Sequence, residues 1–248
     1  MAGSPGAGPA GPARDCPLCP RLVAFRDANR QAEPGWHNAP VPSFGPLDAA
    51  LLVVGLAPGR QGANRTGRPF TGDYAGDLLY RSLARFGFAE GRYERHAGDG
   101  LKLIDARITN AVRCVPPENK PTPAEVRQCR EHYLTAEIAA MGRLSAILAL
   151  GSIAHGAVLA AVGLRPAGFR FGHAAQHALP EGRLLVDSYH CSRLNTNTGR
   201  LTEAMFDAVV AELRRRVDVL RDAPSGRSSS FETAAARPPQ DEDPTQRT

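Results

Sequence analysis

Lysine is nearly missing from this chain. Of its 30 basic residues only Lys102 and Lys120 are lysines, and arginine supplies the rest. Guanidinium forks suit phosphate groups, but genome composition produces the same bias and is given the larger share of the explanation. No apolar run approaches the roughly 18 residues that a helical membrane span requires, so no span is expected. Residues 1–14, rich in Gly, Pro and Ala, lack the charged start and apolar stretch of a secretory signal. The protein is therefore expected inside the cell, in the cytoplasm and associated with the nucleoid. No internal repeat is present. Neither a G-x-G-x-x-G turn nor a phosphate-loop lysine follows the first apolar segment, which argues against the commonest nucleotide-binding turns.

What remains is enough for one sizeable core: 248 residues, 42% of them hydrophobic. The net charge of +5 is mildly basic and compatible with a polyanionic partner without diagnosing one. Residues 1–14 read as a flexible leader. Residues 222–248, rich in Ser, Pro, Arg and acids, read as a disordered tail. The folded body is expected over residues 15–221 as a single domain and a monomer.

Within that body, strand and helix signals alternate. Ala49–Gly55 is a continuous apolar run ending at glycine, as a buried parallel strand should be. Ala75, Leu78, Leu79, Leu83 and Phe86 recur at helical spacing, with Gly87 as the C-terminal stop. Ile104–Val112 is a second strand. Thr122-Pro123-Ala124-Glu125 forms a capping box that opens a helix to about Met141. Ala146–Leu150 is a third strand, followed by a helix ending at Gly163, and Arg183–Ser188 is a fourth. Leu201, Met205, Ala208, Val209 and Leu213 mark a last helix. The pattern predicts an α/β/α three-layer sandwich around a four-stranded parallel sheet. Such sheets bind ligands beyond the carboxyl ends of their strands, which singles out the loops after Gly55, Asn110 and Ser188.

Five cysteines are present. In a reducing compartment an odd number containing one Cys-x-x-Cys pair points to metal ligation plus one remainder. Cys16 and Cys19 form the pair. Cys114 follows the second strand, and Cys129 lies fifteen residues on. Four thiolates suit zinc or an iron–sulfur cluster, and spacing alone leaves that choice open. Unrelated buried thiols would give the same sequence less often. Cys191 stands outside the set as a small apolar filler.

The first loop, Gly55-Leu56-Ala57-Pro58-Gly59 through Arg60, Arg65, Arg68, Phe70 and Asp73, has glycines that let backbone approach a ligand. Phe70 offers a face on which a flat ring can stack. Asp73 is a candidate water-orienting base, and equally a helix N-cap. Asn110, at the end of the second strand, carries a donor and an acceptor side by side. In the third loop, Ser188-Tyr189-His190-Cys191-Ser192-Arg193-Leu194-Asn195, His190 alone of the seven histidines falls at a strand end facing the other loops. Arg60, Arg65, Arg68 and Arg193 are candidates for phosphate contacts.

These three loops, in this order, resemble the uracil-DNA glycosylase superfamily. The four cysteines point to its iron–sulfur branches, and GLAPG, RTGRPFTGD and SYHCSRLNT look most like the family-five branch. The resemblance spans about Cys16 to Arg216. It implies a monofunctional DNA glycosylase of base-excision repair. The expected partners are DNA containing uracil or the deaminated purines hypoxanthine and xanthine. It also implies a structural [4Fe–4S] cluster on Cys16, Cys19, Cys114 and Cys129. Carried over residue by residue, Gly55, Ala57, Phe70 and Asn110 hold the flipped base. His190 steadies its negative charge, and Asp73 replaces the motif-one polar residue that Leu56 and Ala57 lack. Arg65, Arg68 and Arg193 meet DNA, while Leu194 wedges into the duplex. Where many relatives have His-Pro-Ser, this chain has His190-Cys191-Ser192. Two other readings of the residues stay open here: a zinc-stabilised nucleotide-binding module, and a redox sensor working through the cluster or Cys191.

Overall fold

A computed structural model describes residue 9 and residues 11–222. The elements in chain order are α1 (Pro20–Ala32), β1 (Leu51–Gly55), α2 (Ala63–Thr66), α3 (Tyr74–Arg85), β2 (Ala89–Glu90), β3 (Lys102–Leu103) and β4 (Ala106–Asn110). They continue with α4 (Pro123–Cys129), α5 (Thr135–Ala140), β5 (Ala146–Leu150), α6 (Ser152–Ala161), β6 (Gln176–Ala178), β7 (Leu184–Ser188), α7 (Arg193–Asn197) and α8 (Glu203–Asp222).

The main sheet runs β4-β1-β5-β7-β6. Its first four strands are parallel, as the alternating sequence predicts. The fifth corrects the expected four-stranded sheet: Gln176–Ala178 pairs antiparallel with β7 as an edge strand. Its three residues are too few and too polar to show a strand pattern in sequence. A separate two-stranded ribbon, β2 with β3, was likewise not expected. Every residue of β1 and of β5 is buried, because helices cover both faces. Side chains alternate between the faces. Leu51 and Val53 join Leu78, Leu79, Leu83 and Phe206 in one core, whereas Leu52 and Val54 join Ile138, Val158 and Leu159 in the other.

Register aligns the strand ends on one rim. Gly55 lies opposite Asn110 and Leu150 opposite Ser188. Beyond the strands, the Ala111 and Val112 amides still donate to the carbonyls of Gly55 and Leu56, at 2.9 and 3.0 Å. The first two functional loops thus leave the sheet tied together.

The capping box forms as predicted. The Glu125 amide donates to Thr122 Oγ1 at 3.3 Å, and the Thr122 amide donates to Glu125 Oε2 at 2.7 Å. The helix expected to run on to Met141 is broken in winding, however. A π-helical turn, Arg130–Leu134, separates α4 from α5 directly after Cys129. Of the expected leader, residues 11–14 are mostly exposed, with Pro12 bordering the cysteines and the Arg14 carbonyl accepting from Arg30. The expected tail, apart from Asp222, lies outside the described residues. No helix among the described residues is long and apolar enough to cross a membrane.

Candidate active site

The three loops predicted to carry chemistry meet at the rim around one cleft of about 590 Å³. Its walls include Ala57, Gly59, Gly62, Phe70, Asp73, Asn110, Asn119, His190, Ser192 and Arg193. A cleft of this size suits a small flat ligand. A larger groove of about 770 Å³ lies beside it, bordered by Arg81, Arg92 and Arg95, and the two share Tyr74. The smaller cleft holds the chemistry, because the strand ends and the desolvated polar atoms point there.

Asn110, at the end of β4, is 3% exposed, and its Oδ1 has no hydrogen-bond partner. A buried unmet acceptor is costly, so this atom is kept for something that arrives. Gly55 makes room for it: a Cβ there would stand 2.4 Å from Asn110 Oδ1 and 2.5 Å from the Phe70 ring. Glycine is needed at this position for close approach.

Phe70 adopts a left-handed backbone conformation with φ of 52°, a strained state for an aromatic residue that surrounding contacts must enforce. Those contacts are present. Tyr93 Oη donates to the Phe70 carbonyl at 3.1 Å, and Tyr80 Oη donates to the Pro69 carbonyl at 2.5 Å. Gly76 lets α3 close on the same turn, since a Cβ there would sit 1.8 Å from the Phe70 carbonyl oxygen. The Phe70 and His190 rings stack with centroids 5.9 Å apart and planes inclined by 30°, forming one wall.

Asp73 takes the helix N-cap role weighed for it in sequence and leaves its second oxygen facing the cleft loop. Its Oδ1 caps α3 by accepting from the Gly76 amide at 3.3 Å. Its Oδ2 faces Gly59 and Gly62, where Cβ atoms would come within 3.2 and 2.5 Å. Burial pushes its carboxyl above the usual range and Asp77 adds to this, while the Gly76 and Ala75 amides oppose it. Burial pushes the His190 imidazole below its ordinary value, so the ring is neutral at neutral pH.

Of the predicted DNA contacts, Arg65, Arg193 and Leu194 lie on the surface. Leu194 is 73% exposed at the start of α7, four residues from His190. Arg193 covers the Tyr74 ring at 5.3 Å. Arg68 is a correction. It is 5% exposed, paired through two 2.7 Å bonds with Asp99, and set against Phe44, Tyr80 and Tyr93. With no solvent-facing guanidinium it braces the Phe70 turn instead, donating to Thr71 Oγ1 at 2.7 Å. Arg60 is half-buried on the cleft wall, donating to Asn29 Oδ1 at 2.7 Å and lying over the Trp36 ring. Sequence reasoning missed Asn119, Ser192 and Tyr74. Asn119 has φ of 56°, and a Pro-Glu-Asn run carries little signal for a cleft wall.

Cys16, Cys19, Cys114 and Cys129 line a single cavity with Leu18, Leu22, Val112 and Tyr133. The two chain segments are joined by Arg21 of α1, which holds the Glu125 carboxylate of α4 at 2.8 and 2.7 Å. Burial pushes the Cys114 thiol up to about 12 and Cys129 up to about 11, so ligation here must displace protons. Arg26 is 4% exposed and donates to the Cys16 carbonyl at 3.0 Å, while its Nε makes no hydrogen bond and lies 3.7 Å from the Asp27 carboxylate. A buried guanidinium of this kind suits a thiolate-bound cluster carrying negative charge. Four thiols around one cavity are a donor set that would fit an iron–sulfur cluster or a zinc ion. Ala57, on the cleft loop, packs against this group.

Cys191 is fully buried and its thiol is pushed up by burial, the opposite of a reactive, activated cysteine.

The fold and site define an α/β/α protein whose strand-end cleft is shaped for a flat, hydrogen-bonding ring. The chain matches the uracil DNA glycosylase superfamily over residues 42–214, and it belongs to that family. It is 48% identical over 206 residues to a type-5 uracil-DNA glycosylase of Thermus thermophilus, covering 81% of this chain and 93% of the relative. It is 42% identical over 212 residues to one from Mycobacterium bovis, covering 81% and 77%. The corresponding protein of Pyrobaculum aerophilum is 40% identical over 206 residues, covering 82% and 87%.

Proposed function

We propose that this protein excises uracil from DNA by hydrolysing the N-glycosidic bond, and that hypoxanthine and xanthine are also substrates. The observation that carries this reading is the buried, unpartnered Asn110 Oδ1 beside Phe70 and His190. Deamination turns the ring-nitrogen acceptor of cytosine or adenine into an N–H donor. An orphaned acceptor therefore gains a hydrogen bond from uracil or hypoxanthine and meets an acceptor in the parent bases. The apolar Leu56 and Ala57 on the loop, with the volume of the cleft, support acceptance of purines as well as pyrimidines.

The base must leave the duplex stack to reach the cleft, at a cost of a few kcal/mol that is lower at a mispair. Leu194, held out in solvent at the mouth, fills the gap left behind, and Arg65 and Arg193 hold phosphates. Phe70 stacks the base. As the bond breaks, the sugar becomes oxocarbenium-like and the base anionic, as in glycoside hydrolysis. His190, neutral because it is buried, donates a hydrogen bond to the departing base. The desolvated Asp73 carboxylate orients water through Oδ2 and balances the sugar's charge, while Oδ1 stays anchored to α3. A [4Fe–4S] cluster on Cys16, Cys19, Cys114 and Cys129 would supply bracing rather than chemistry. These cysteines join α1 and α4 to the loop after β4 and back the cleft loop through Ala57.

The test is incubation with duplexes carrying a single uracil, hypoxanthine or xanthine, followed by alkaline cleavage of abasic sites, with iron and sulfide measured on the same sample. Strand breaks that depend on His190 and Asp73 are expected. Intact strands from well-folded, iron-loaded protein would refute the assignment.

A further inference from the structure

On the far edge of the sheet, away from both the cleft and the cysteines, His155 of α6, His177 of β6 and Asp187 of β7 converge. Their ligand atoms all lie within 4.8 Å of one another. His155 Nδ1 is 2.8 Å from Asp187 Oδ1, and His177 Nε2 is 3.2 Å from Asp187 Oδ2. Asp187 is fully buried and His155 nearly so, while the His177 side chain keeps 13% exposure and gives the group an edge toward solvent.

Hydrogen-bond chemistry says what this cluster lacks. His155 Nε2 lies 3.1 Å from the Phe169 carbonyl oxygen. A carbonyl can only accept, so Nε2 carries the proton. In the neutral imidazole Nδ1 is then a bare lone pair, and it faces a carboxylate oxygen at 2.8 Å. Two acceptors at that distance repel unless a cation stands between them. What stands there is either a proton shared by the His155–Asp187 pair or a metal ion.

The surroundings favour the metal. The backbone carbonyl on Nε2 is the outer partner that metal-bound histidines regularly have, fixing the ring with its other nitrogen toward the ion. Two imidazoles and a carboxylate form a catalogue donor set for borderline divalent ions. An apolar collar encloses them: Phe171 meets the His155 ring edge-on at 5.7 Å, and Phe169 meets His177 at 5.7 Å. Among the described residues no Lys or Arg pairs with the Asp187 carboxylate, which faces these two histidines. We propose that His155, His177 and Asp187 form a second metal site, binding one zinc-like divalent cation through His155 Nδ1, His177 Nε2 and the Asp187 carboxylate. The site clamps the short edge strand β6 to β7, the strand whose end carries His190.

The experiment uses iron-loaded protein, so that the four thiols are already occupied. The protein is treated with a chelator, given zinc sulfate, desalted and analysed for zinc and iron. About one equivalent of retained zinc is expected, with a higher unfolding temperature than in the chelated sample. His177→Gln should lose the zinc and the thermal shift while keeping its iron and its uracil excision. Cobalt(II) in place of zinc gives a second readout. Nitrogen and oxygen ligation produces visible d–d bands without the near-ultraviolet charge transfer of thiolates. That signature is expected in the wild type and absent from His155→Gln and His177→Gln. Sub-stoichiometric zinc in wild-type protein, equal retention by His177→Gln, or a thiolate signature for cobalt would each overturn the proposal. The cation facing Asp187 would then be a proton. The zinc, cobalt and thermal readouts do not depend on whether the protein excises uracil.

Discussion

Asp73 and Asp99 are both withdrawn from solvent within the same quarter of the chain, yet the structure treats them in opposite ways. For Asp99, burial alone would raise the carboxyl. Against that, the Arg68 guanidinium and the Glu94 and Leu101 amides hold it far below the usual range. Asp73 has two helix amides and no cation, and burial wins. One acid is complete and the other is left wanting. The same contrast separates the Glu137 carboxylate, which accepts from Arg107, Arg113 and Thr109, from Asn110, whose buried oxygen has no hydrogen-bond partner. In the cleft, the acid without a cation and the amide oxygen without a donor are the groups that a ligand would complete.

The sharpest way to break this comparison is to neutralise each acid. Asp73→Asn keeps the helix cap but removes the base, and should cut single-turnover excision by about 10²–10⁴. The folded-state carboxyl is raised, so stability is lost as pH rises from the ordinary carboxylate value to the raised one, and the full cost is present at neutral pH. Asp73→Asn should therefore be at least as stable as wild type at neutral pH, measured by urea unfolding. A clear loss of stability would mean that Asp73 is structural. Its raised carboxyl also predicts an acid limb in the excision rate at a pH above the ordinary carboxylate range, absent from the variant.

Asp99→Ala should do the reverse. It strands a buried guanidinium, which costs about 3–5 kcal/mol, and its unfolding midpoint should fall accordingly. Because the wild-type Asp99 carboxyl is lowered, its stabilisation is present at neutral pH and lost only in strong acid. Residual activity of the folded fraction near the wild-type level would confirm the division of labour. Loss of catalysis without loss of stability would defeat it.

Gly55→Ala tests the cradle. The new methyl meets Asn110 Oδ1 and Phe70, so overpacking of about 1–3 kcal/mol is expected, with excision reduced more than the folded fraction. The smallest effect is expected of Leu194→Ala. An exposed truncation leaves stability within about 0.5 kcal/mol, yet excision from a paired duplex should slow by about tenfold while single-stranded substrate is spared, since only the duplex pays the few kcal/mol of flipping.

Much of this site was legible as residue types at strand ends. A strand that is buried on both faces must be apolar throughout, so β1 and β5 announced themselves, and topology then placed the following loops on one rim. The cysteine set was legible because thiols are few. Arg68 shows where such reading stops. In sequence it stands among Arg60, Arg65 and Arg193, and only the fold brings Asp99, Phe44, Tyr80 and Tyr93 around it. Nothing thirty residues away in sequence foretells that ion pair. The three-residue strand β6 and the π turn after Cys129 were equally unreadable, since too few side chains repeat to establish a period.

Local order along the chain was thus decided by the sequence: which segments are strands, which helices are capped and where, and which loops carry ring-binding and acid–base residue types. These follow from periodicity, capping and backbone preference, all of which act within a few residues. The tertiary structure alone decided which polar atoms would be left without partners. Desolvation and pairing depend on what packs around a group from distant parts of the chain. That is why Asn110 and Asp73 became a site while Arg68 and Asp99 became a pillar.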